Sequence, residues 1–304
     1  MVPELNTPDT ATPRHEWFGE QIQYRAKLRT FSKAPPEITV QQVSFERDFQ
    51  RYQNAYDRKQ SSCFNRPRGP RVVSDAPRSE ESMERSQRRA KTGVRLLVTE
   101  LAPTALVTFT TRETMPLDDL MKVWQKYCAL ARQAGIDFEY VAVPERHPTN
   151  PGHFHLHVAY RGRTSFDTMR RFWHIALEAR HGRRVLVTLQ GTESPGNIDV
   201  QRIKSRDTII AIRKIARYIS KYITKDLIAE FNRKRYWPSK GITVIEAQRF
   251  WLSGLTQSDA IREACQMFGQ WDHSADLCPQ KVWAPGPRFA YMVVNPALTP
   301  PPPF

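Results

Sequence analysis

The stretch His153-Phe154-His155-Leu156-His157-Val158-Ala159-Tyr160 decides how the chain is read. In a β-strand successive side chains point to opposite faces, so His153, His155 and His157 share one face while Phe154, Leu156 and Val158 lie on the other. One face is polar and the other is core. Imidazole nitrogens are borderline ligands for divalent metals. Alternate residues of a strand, roughly 6.6 to 6.8 Å apart, can bring two of them to one ion. The spacing admits two pairs, His153 with His155 or His155 with His157. Hard ions such as Mg²⁺ or Mn²⁺ also favour oxygen. Glu145 supplies it best, because it ends the strand "FEYVAVPER" that a hairpin would pair with the histidine strand. Glu139 lies further back along the same strand and suits the role less. His147, His174 and His181 carry no comparable pattern.

A second stretch, Ile212-Arg213-Lys214-Ile215-Ala216-Arg217-Tyr218-Ile219-Ser220-Lys221-Tyr222-Ile223-Thr224-Lys225, reads as a helix. At about 100° per residue Tyr218 and Tyr222 are i,i+4 neighbours one turn apart. Arg213, Arg217, Lys221 and Lys225 form a basic row beside them. Ile209, Ile212, Ala216, Ile219, Ile223 and Leu227 complete an apolar stripe. The helix therefore carries a buried face, a basic face and two phenols on their border.

His155-Leu156-His157 resembles the His-hydrophobic-His motif of the HUH endonucleases, and Tyr218-Ile-Ser-Lys-Tyr222 resembles the paired tyrosines of their phage-type replication initiators. The wording around them, "LVTFTTRE", "YVAVPER", "GHFHLHVAYRGR", "RRFWH", "GNIDV" and "ARYISKYITKD", is similar to rolling-circle replication proteins of bacterial phages and plasmids. The resemblance spans roughly residues 80 to 240. It favours His155 and His157 as the ligand pair, with His153 as the alternative, and puts a carboxylate at the position of Glu145. It implies a metal-dependent nickase and strand transferase that starts rolling-circle replication. Tyr218 or Tyr222 would attack phosphorus to give a 5′-phosphotyrosine and a free 3′-OH, with Lys221 offsetting charge and Mg²⁺ or Mn²⁺ polarising the phosphate. Partners would be single-stranded origin DNA and a host helicase and polymerase in the cytoplasm of a bacterial cell. Phosphate contacts would come from Arg213, Arg217, Lys225, Arg161 and Arg163, with Arg170 and Arg171 as further candidates. Trp173 and Phe172 read as core rather than as stacking platforms. Two rivals are a two-tyrosine HUH transposase and a catalytically inactive single-stranded nucleic-acid binder.

Composition fits such a partner. Over 304 residues, 46 Lys and Arg against 31 Asp and Glu give a net charge of +15, suited to phosphate backbones, although basicity alone would also suit a membrane surface or RNA. Cys63, Cys128, Cys265 and Cys278 are scattered without a Cys-x-x-Cys pair, which argues against a zinc ribbon or a disulfide framework and for reduced thiols. No apolar run of about 18 residues predicts a transmembrane helix, the N-terminus lacks signal-peptide features, and no Gly-x-x-x-x-Gly-Lys-Ser/Thr predicts a fused helicase motor.

In chain order, residues 1–40 read as a poorly ordered arm and residues 41–60 as an amphipathic helix, followed by a Pro- and Arg-rich loop. A helix over 80–101, halted at Pro103, leads into strand 104–113, a helix ending on Gly135, strand 138–146, the histidine strand, and a helix from an N-cap at Ser165. A fourth strand comes from "RVLVTLQ" or "NIDVQRI", and the tyrosine helix follows. The order β-α-β-β-α-β-α predicts an α+β, ferredoxin-like split β-α-β with an antiparallel sheet. The resemblance implies the same fold, with the histidine strand central. This gives an N-terminal arm and helices over 1–95, an endonuclease core over 96–235, and a C-terminal helical extension with a Pro-rich tail over 236–304.

Overall fold

The histidine strand becomes β5 (Phe154–Gly162), the middle strand of a five-stranded sheet. It belongs to a computed structural model that describes residues 23–43, 80–150, 152–181, 194–204, 208–223, 234–254, 256–267, 281–286 and 289–293. The chain divides into two units: Met1–Leu28, Glu37–Pro67 and Ala247–Phe304 form one, and Arg29–Pro36 with Arg68–Glu246 form the other.

In the second of these units, α1 (Glu80–Leu101) precedes β3 (Ala105–Thr111), α2 (Leu117–Gln133), β4 (Phe138–Arg146), β5, α3 (Phe166–His181), β6 (Gly196–Arg202), α4 (Thr208–Ser220) and β7 (Trp237–Pro238). The sheet order is β6-β3-β5-β4-β7, antiparallel throughout. β3 and β4 flank β5 and are joined through α2, while β6 adds outside β3 after α3, which is the split β-α-β arrangement expected. The fold class is α+β, with antiparallel sheets and, among the described residues, five helices. Of the two candidates for the fourth strand, Gly196–Arg202 forms it, and residues 184–190 lie outside the described residues. Only glycine fits at position 196, where a Cβ would lie 2.3 Å from the Thr110 carbonyl oxygen.

Strand alternation sorts the two faces. Val107, Phe109, Leu156, Val158 and Ile198 pack under α2 and α3. There Phe109 meets Trp124, Tyr127 and Trp173 edge-on, with ring centroids 5.2, 5.2 and 4.9 Å away. Trp173 is fully buried and donates its indole N–H to the Thr110 carbonyl at 2.9 Å, so it is core, as its sequence context suggests. Trp173→Ala is expected to lower the unfolding free energy by about 3–5 kcal/mol, read from the urea midpoint at constant slope. On the other face Leu106, Val141, Val143 and Ala159 pack against α1 and α4. The polar side of β5 therefore faces the tyrosine helix.

Helix boundaries follow local chemistry. Ser165 caps α3, accepting from the Thr168 N–H at 3.1 Å. Gly135 follows α2 with φ +69°, which an L side chain resists. Before Pro103, α1 stops and Ala102 takes φ +49°. Its carbonyl accepts from the Arg161 guanidinium at 2.8 Å.

Several expectations about the ends need correction. Within the expected arm, Gln23–Arg29 and Glu37–Val43 form β1 and β2. The proposed helix over 41–60 begins inside β2, and the rest of it lies outside the described residues. The helical extension expected over 236–304 forms, among the described residues, one helix, α5 (Gln257–Met267), which follows a strand, β8 (Gln248–Leu252). The region read as a Pro-rich tail contains β9 (Lys281–Gly286) and β10 (Phe289–Val293). These strands form a second sheet, β8-β1-β2-β10-β9, with α5 packed on one face.

Candidate active site

The site begins with pairing across the β4–β5 hairpin. Glu145 stands opposite His155, and Val143 opposite His157. Glu145 and His157 then meet diagonally, Oε2 to Nε2 at 2.6 Å. On the other side of β5, Thr108 of β3 is the register partner of His157, and its hydroxyl lies 3.1 Å from Nδ1. A carboxylate only accepts, so the Nε2 proton belongs to the Glu145 bond, and Thr108 donates to Nδ1 of the neutral ring.

α4 delivers the tyrosines. Ile212, Ala216, Ile219 and Ile223 are buried, the last three against Ala90, Val94, Val98 and Leu101 of α1. This fixes the rotation of the helix and leaves its polar border toward β5. The helix does not run on to Lys225 as expected. It ends at Ser220, and N–H groups of Lys221, Tyr222 and Ile223 bond three residues back, to Tyr218, Ile219 and Ser220. This tighter 3₁₀ turn moves Tyr222 off the helical row. Its ring lies flat on His157, with centroids 3.9 Å apart and planes 2° apart. Tyr218 meets Tyr222 edge-on at 5.3 Å rather than in a stack, and lies 6.4 Å from His157. Gln87 of α1 secures the turn by donating its amide to the Ile223 carbonyl at 2.9 Å.

The electrostatics favour neutral rings. Burial, followed by the charges of His153 and His147, holds His155 below the usual imidazole range. Burial does the same to His157, against the hydrogen bond and charge of Glu145. Neutral imidazole is the form that ligates metals. Burial, then a hydrogen bond with Tyr218, then the Glu145 carboxylate push the Tyr222 phenol well above its ordinary value.

As a donor set, one carboxylate and two imidazoles suit a borderline or hard divalent ion. Among the described residues, however, no three His, Cys, Asp or Glu side chains are gathered to hold a metal. Adjacent ligands on a Mg²⁺-sized ion with ~2.1 Å bonds stand about 3 Å apart, so the direct Glu145–His157 contact would have to open by less than an ångström. His155 has further to turn. Its ring sits edge-on to His153 at 5.1 Å and His147 at 5.2 Å. His153, the alternative ligand, is buried and accepts from the Met115 N–H at 3.2 Å, which ties it to the start of α2.

The proposed phosphate contacts separate into two groups. Lys221, Arg217 and Tyr218 are exposed together at the end of α4, with the Lys221 ammonium 5.8 Å from the Tyr218 ring centroid, and Arg213 is half-buried a turn earlier. Lys225 lies outside the described residues. Arg161 lies six residues along β5 from His155, roughly 20 Å at strand rise, and is spent on the carbonyl of Ala102. Exposed Arg163 follows at that far end of the sheet, and Arg170 and Arg171 belong to α3, the helix on the opposite face. Thr108 and Gln87 escape a sequence reading, because a threonine in a strand and a glutamine in a helix carry no signal until their partners are known.

Residues 104–227 match the family model of replication-associated proteins of the ORF2 and gene-2-protein kind. No curated protein and no solved structure matches the chain significantly. The matched span runs from the start of β3 past the tyrosine turn and holds Glu145, His155, His157, Tyr218 and Tyr222. It supports a replication-initiator family for this chain and fits rolling-circle initiation. Among the described residues no helix is long and apolar enough to cross a membrane.

Proposed function

We propose that this chain is a site-specific, metal-dependent nickase and strand transferase of the HUH type, which initiates rolling-circle replication of a phage or plasmid in the bacterial cytoplasm. The observation that carries the reading is the meeting of Tyr222, His157 and Glu145, with Tyr218 beside them: phenols from a late helix reach the imidazole and carboxylate of a mid-sheet hairpin.

In this reading a tyrosine oxygen attacks the scissile phosphorus. The P–O3′ bond breaks, the phenol proton leaves, and the departing 3′-oxygen takes up a proton. The products are a 5′-phosphotyrosine and a free 3′-OH, and the phosphodiester energy is conserved without a nucleotide cofactor. A divalent ion, Mg²⁺ or Mn²⁺, held by Glu145, His155 and His157 would polarise the phosphate as a Lewis acid. Lys221 offsets the charge that develops near Tyr218, and Arg213 and Arg217 hold the backbone of the strand. Tyr218 attacks first, because it is 40% exposed and has the Lys221 cation near its ring, whereas the Tyr222 phenol is held neutral. Tyr222 then cleaves the regenerated origin while the first strand is still attached, and the released 3′-OH closes the circle. A host helicase and polymerase supply unwinding and synthesis.

Incubation with origin single strand and Mn²⁺, followed by denaturing gel electrophoresis, tests the reading. A covalent protein–DNA band is expected. Tight binding with no such band would leave a non-catalytic binder.

Gln87→Leu, which deletes the bond to the Ile223 carbonyl, is expected to slow the second cleavage, by Tyr222, about tenfold with little change in binding, since misplacement of a reacting group lowers the rate rather than the affinity. Single-turnover rates at saturating DNA measure it.

A further inference from the structure

Between residues 85 and 95, α1 carries five cations, Arg85, Arg88, Arg89, Lys91 and Arg95, and no carboxylate. At about 100° per residue, Ala90 and Val94 face the core, Gln87 lies on the flank that meets the tyrosine turn, and Ser86 and Arg89 lie on the flank away from it. The residues leading into β7 wall that second flank. β7 is fixed by pairing with β4, and Arg235 donates to the Ser86 hydroxyl at 2.9 Å. The Tyr236 hydroxyl lies so near the helix that a Cβ at Gly93 would stand 3.0 Å from it. Between helix and wall is a cavity of about 530 Å³, lined by Ser86, Arg89, Lys234, Arg235 and Tyr236 among others. A second cavity, of about 460 Å³, lies against Ser82, Arg85, Arg88 and Arg89. Arg89 lines both, so the two adjoin across the outer side of α1. Among the described residues no carboxylate lines either one. Arg89 and Lys234 are exposed. The side chains of Arg85 and Arg88 are 63% and 75% exposed, and their ion pairs with Glu81 and Glu84 are of the solvated kind that contributes little.

We propose that this groove clamps the sugar-phosphate backbone of the single DNA strand held at the tyrosines, without reading its bases. The identity of the strand rests on the nicking reading. Charge complementarity selects a polyanion, and guanidinium, ammonium and hydroxyl groups suit phosphate oxygens. Tyr236, the aromatic ring in the lining, packs against the cluster between α1 and α4, so it gives bases no platform. Contacts of this kind position a strand and carry no sequence information. Gln87 holds Ile223, one residue past Tyr222, from the same turn of α1 that carries Ser86 and Arg89. A strand bound at the tyrosines therefore reaches the groove by crossing one helix, roughly 10–12 Å wide. Both walls lie outside the matched span of residues 104–227.

The test uses the full chain without divalent ion, on a fluorescent origin strand and on a scrambled strand of the same length. Replacing Arg88, Arg89 and Lys234 together with alanine is expected to flatten the plot of log K against log salt by about 2, at ~0.7 per phosphate contact on a single strand, and equally on both strands. Arg88→Lys, Arg89→Lys and Lys234→Arg combined keep the charges and are expected to restore the slope, which separates lost cations from a lost fold. Amine acetylation read by mass spectrometry is expected to find Lys234 protected when either strand is bound. An unchanged slope, a loss confined to the origin sequence or to duplex, or Lys234 acetylated equally with and without DNA would each overturn the proposal. Covalent adduct formation with Mn²⁺ is scored separately on the unsubstituted chain. An adduct without the slope change and the protection sinks only the groove, and both of these effects without an adduct sink only the nicking reading.

Discussion

Tyr218→Phe is expected to abolish the first covalent adduct, by a factor on the order of 10⁴ or more for loss of a nucleophile. Tyr222→Phe should spare that adduct and stop the second cleavage and joining. Each substitution removes one oxygen and keeps the ring, so the flat contact of residue 222 on His157 survives and folding is not the variable. The asymmetry rests on environment. An ordinary phenol with pKa near 10 is about 0.1% ionised at pH 7, roughly 4 kcal/mol short of phenolate. Burial, the Tyr218 hydrogen bond and the Glu145 charge deepen that deficit for Tyr222, whereas Tyr218 is exposed and has Lys221 at hand. An adduct that persists in the double variant would remove tyrosine chemistry altogether. The reverse pattern, with Tyr222→Phe inactive and Tyr218→Phe competent, would keep the nickase and invert the order of attack.

The split β-α-β was legible because its signals are local. Alternation in β5 and the periods of α2 and α4 each declare themselves within one element, and the hairpin from Glu145 to His153 forces the carboxylate against the histidines. What sequence could not supply was the last turn of α4. Whether residues 221–223 continue as α or tighten to 3₁₀ depends on Gln87, more than a hundred residues upstream, and only that turn lays Tyr222 flat on His157. The second sheet was missed for a different reason. In β10 the buried positions are Ala290 and Met292, while Phe289 and Tyr291 face outward, so the usual apolar-in alternation is inverted and the neighbouring prolines dominate the reading. In β1 the alternation of Tyr24, Ala26 and Leu28 with basic residues is regular. Its other partner strand, β8, lies more than two hundred residues away, and local reading cannot pair the two.

Glu145→Gln is expected to lower metal-dependent cleavage on the order of 10³-fold while leaving the fold intact. The amide oxygen can still accept from His157 Nε2, so the hairpin contact remains, but the negative charge that would balance a divalent ion is gone. The same charge is one cause of the raised Tyr222 phenol. Its removal must therefore move that titration to lower pH, seen as a downward shift in the phenolate absorbance transition of a Tyr218→Phe background. The two readouts point in opposite directions for activity: a more acidic phenol is easier to ionise, so relief of Tyr222 alone would speed attack. A net loss of cleavage with a lowered phenol pKa would thus assign Glu145 to the ion rather than to proton transfer. Thr108→Val gives the companion measurement. Deleting the 3.1 Å bond to His157 Nδ1 frees the ring to rotate, and outer-shell losses of this kind lower metal affinity about 10–100-fold. Calorimetric titration with Mn²⁺ reads both variants, and unchanged affinity in Glu145→Gln would remove this carboxylate from the coordination sphere.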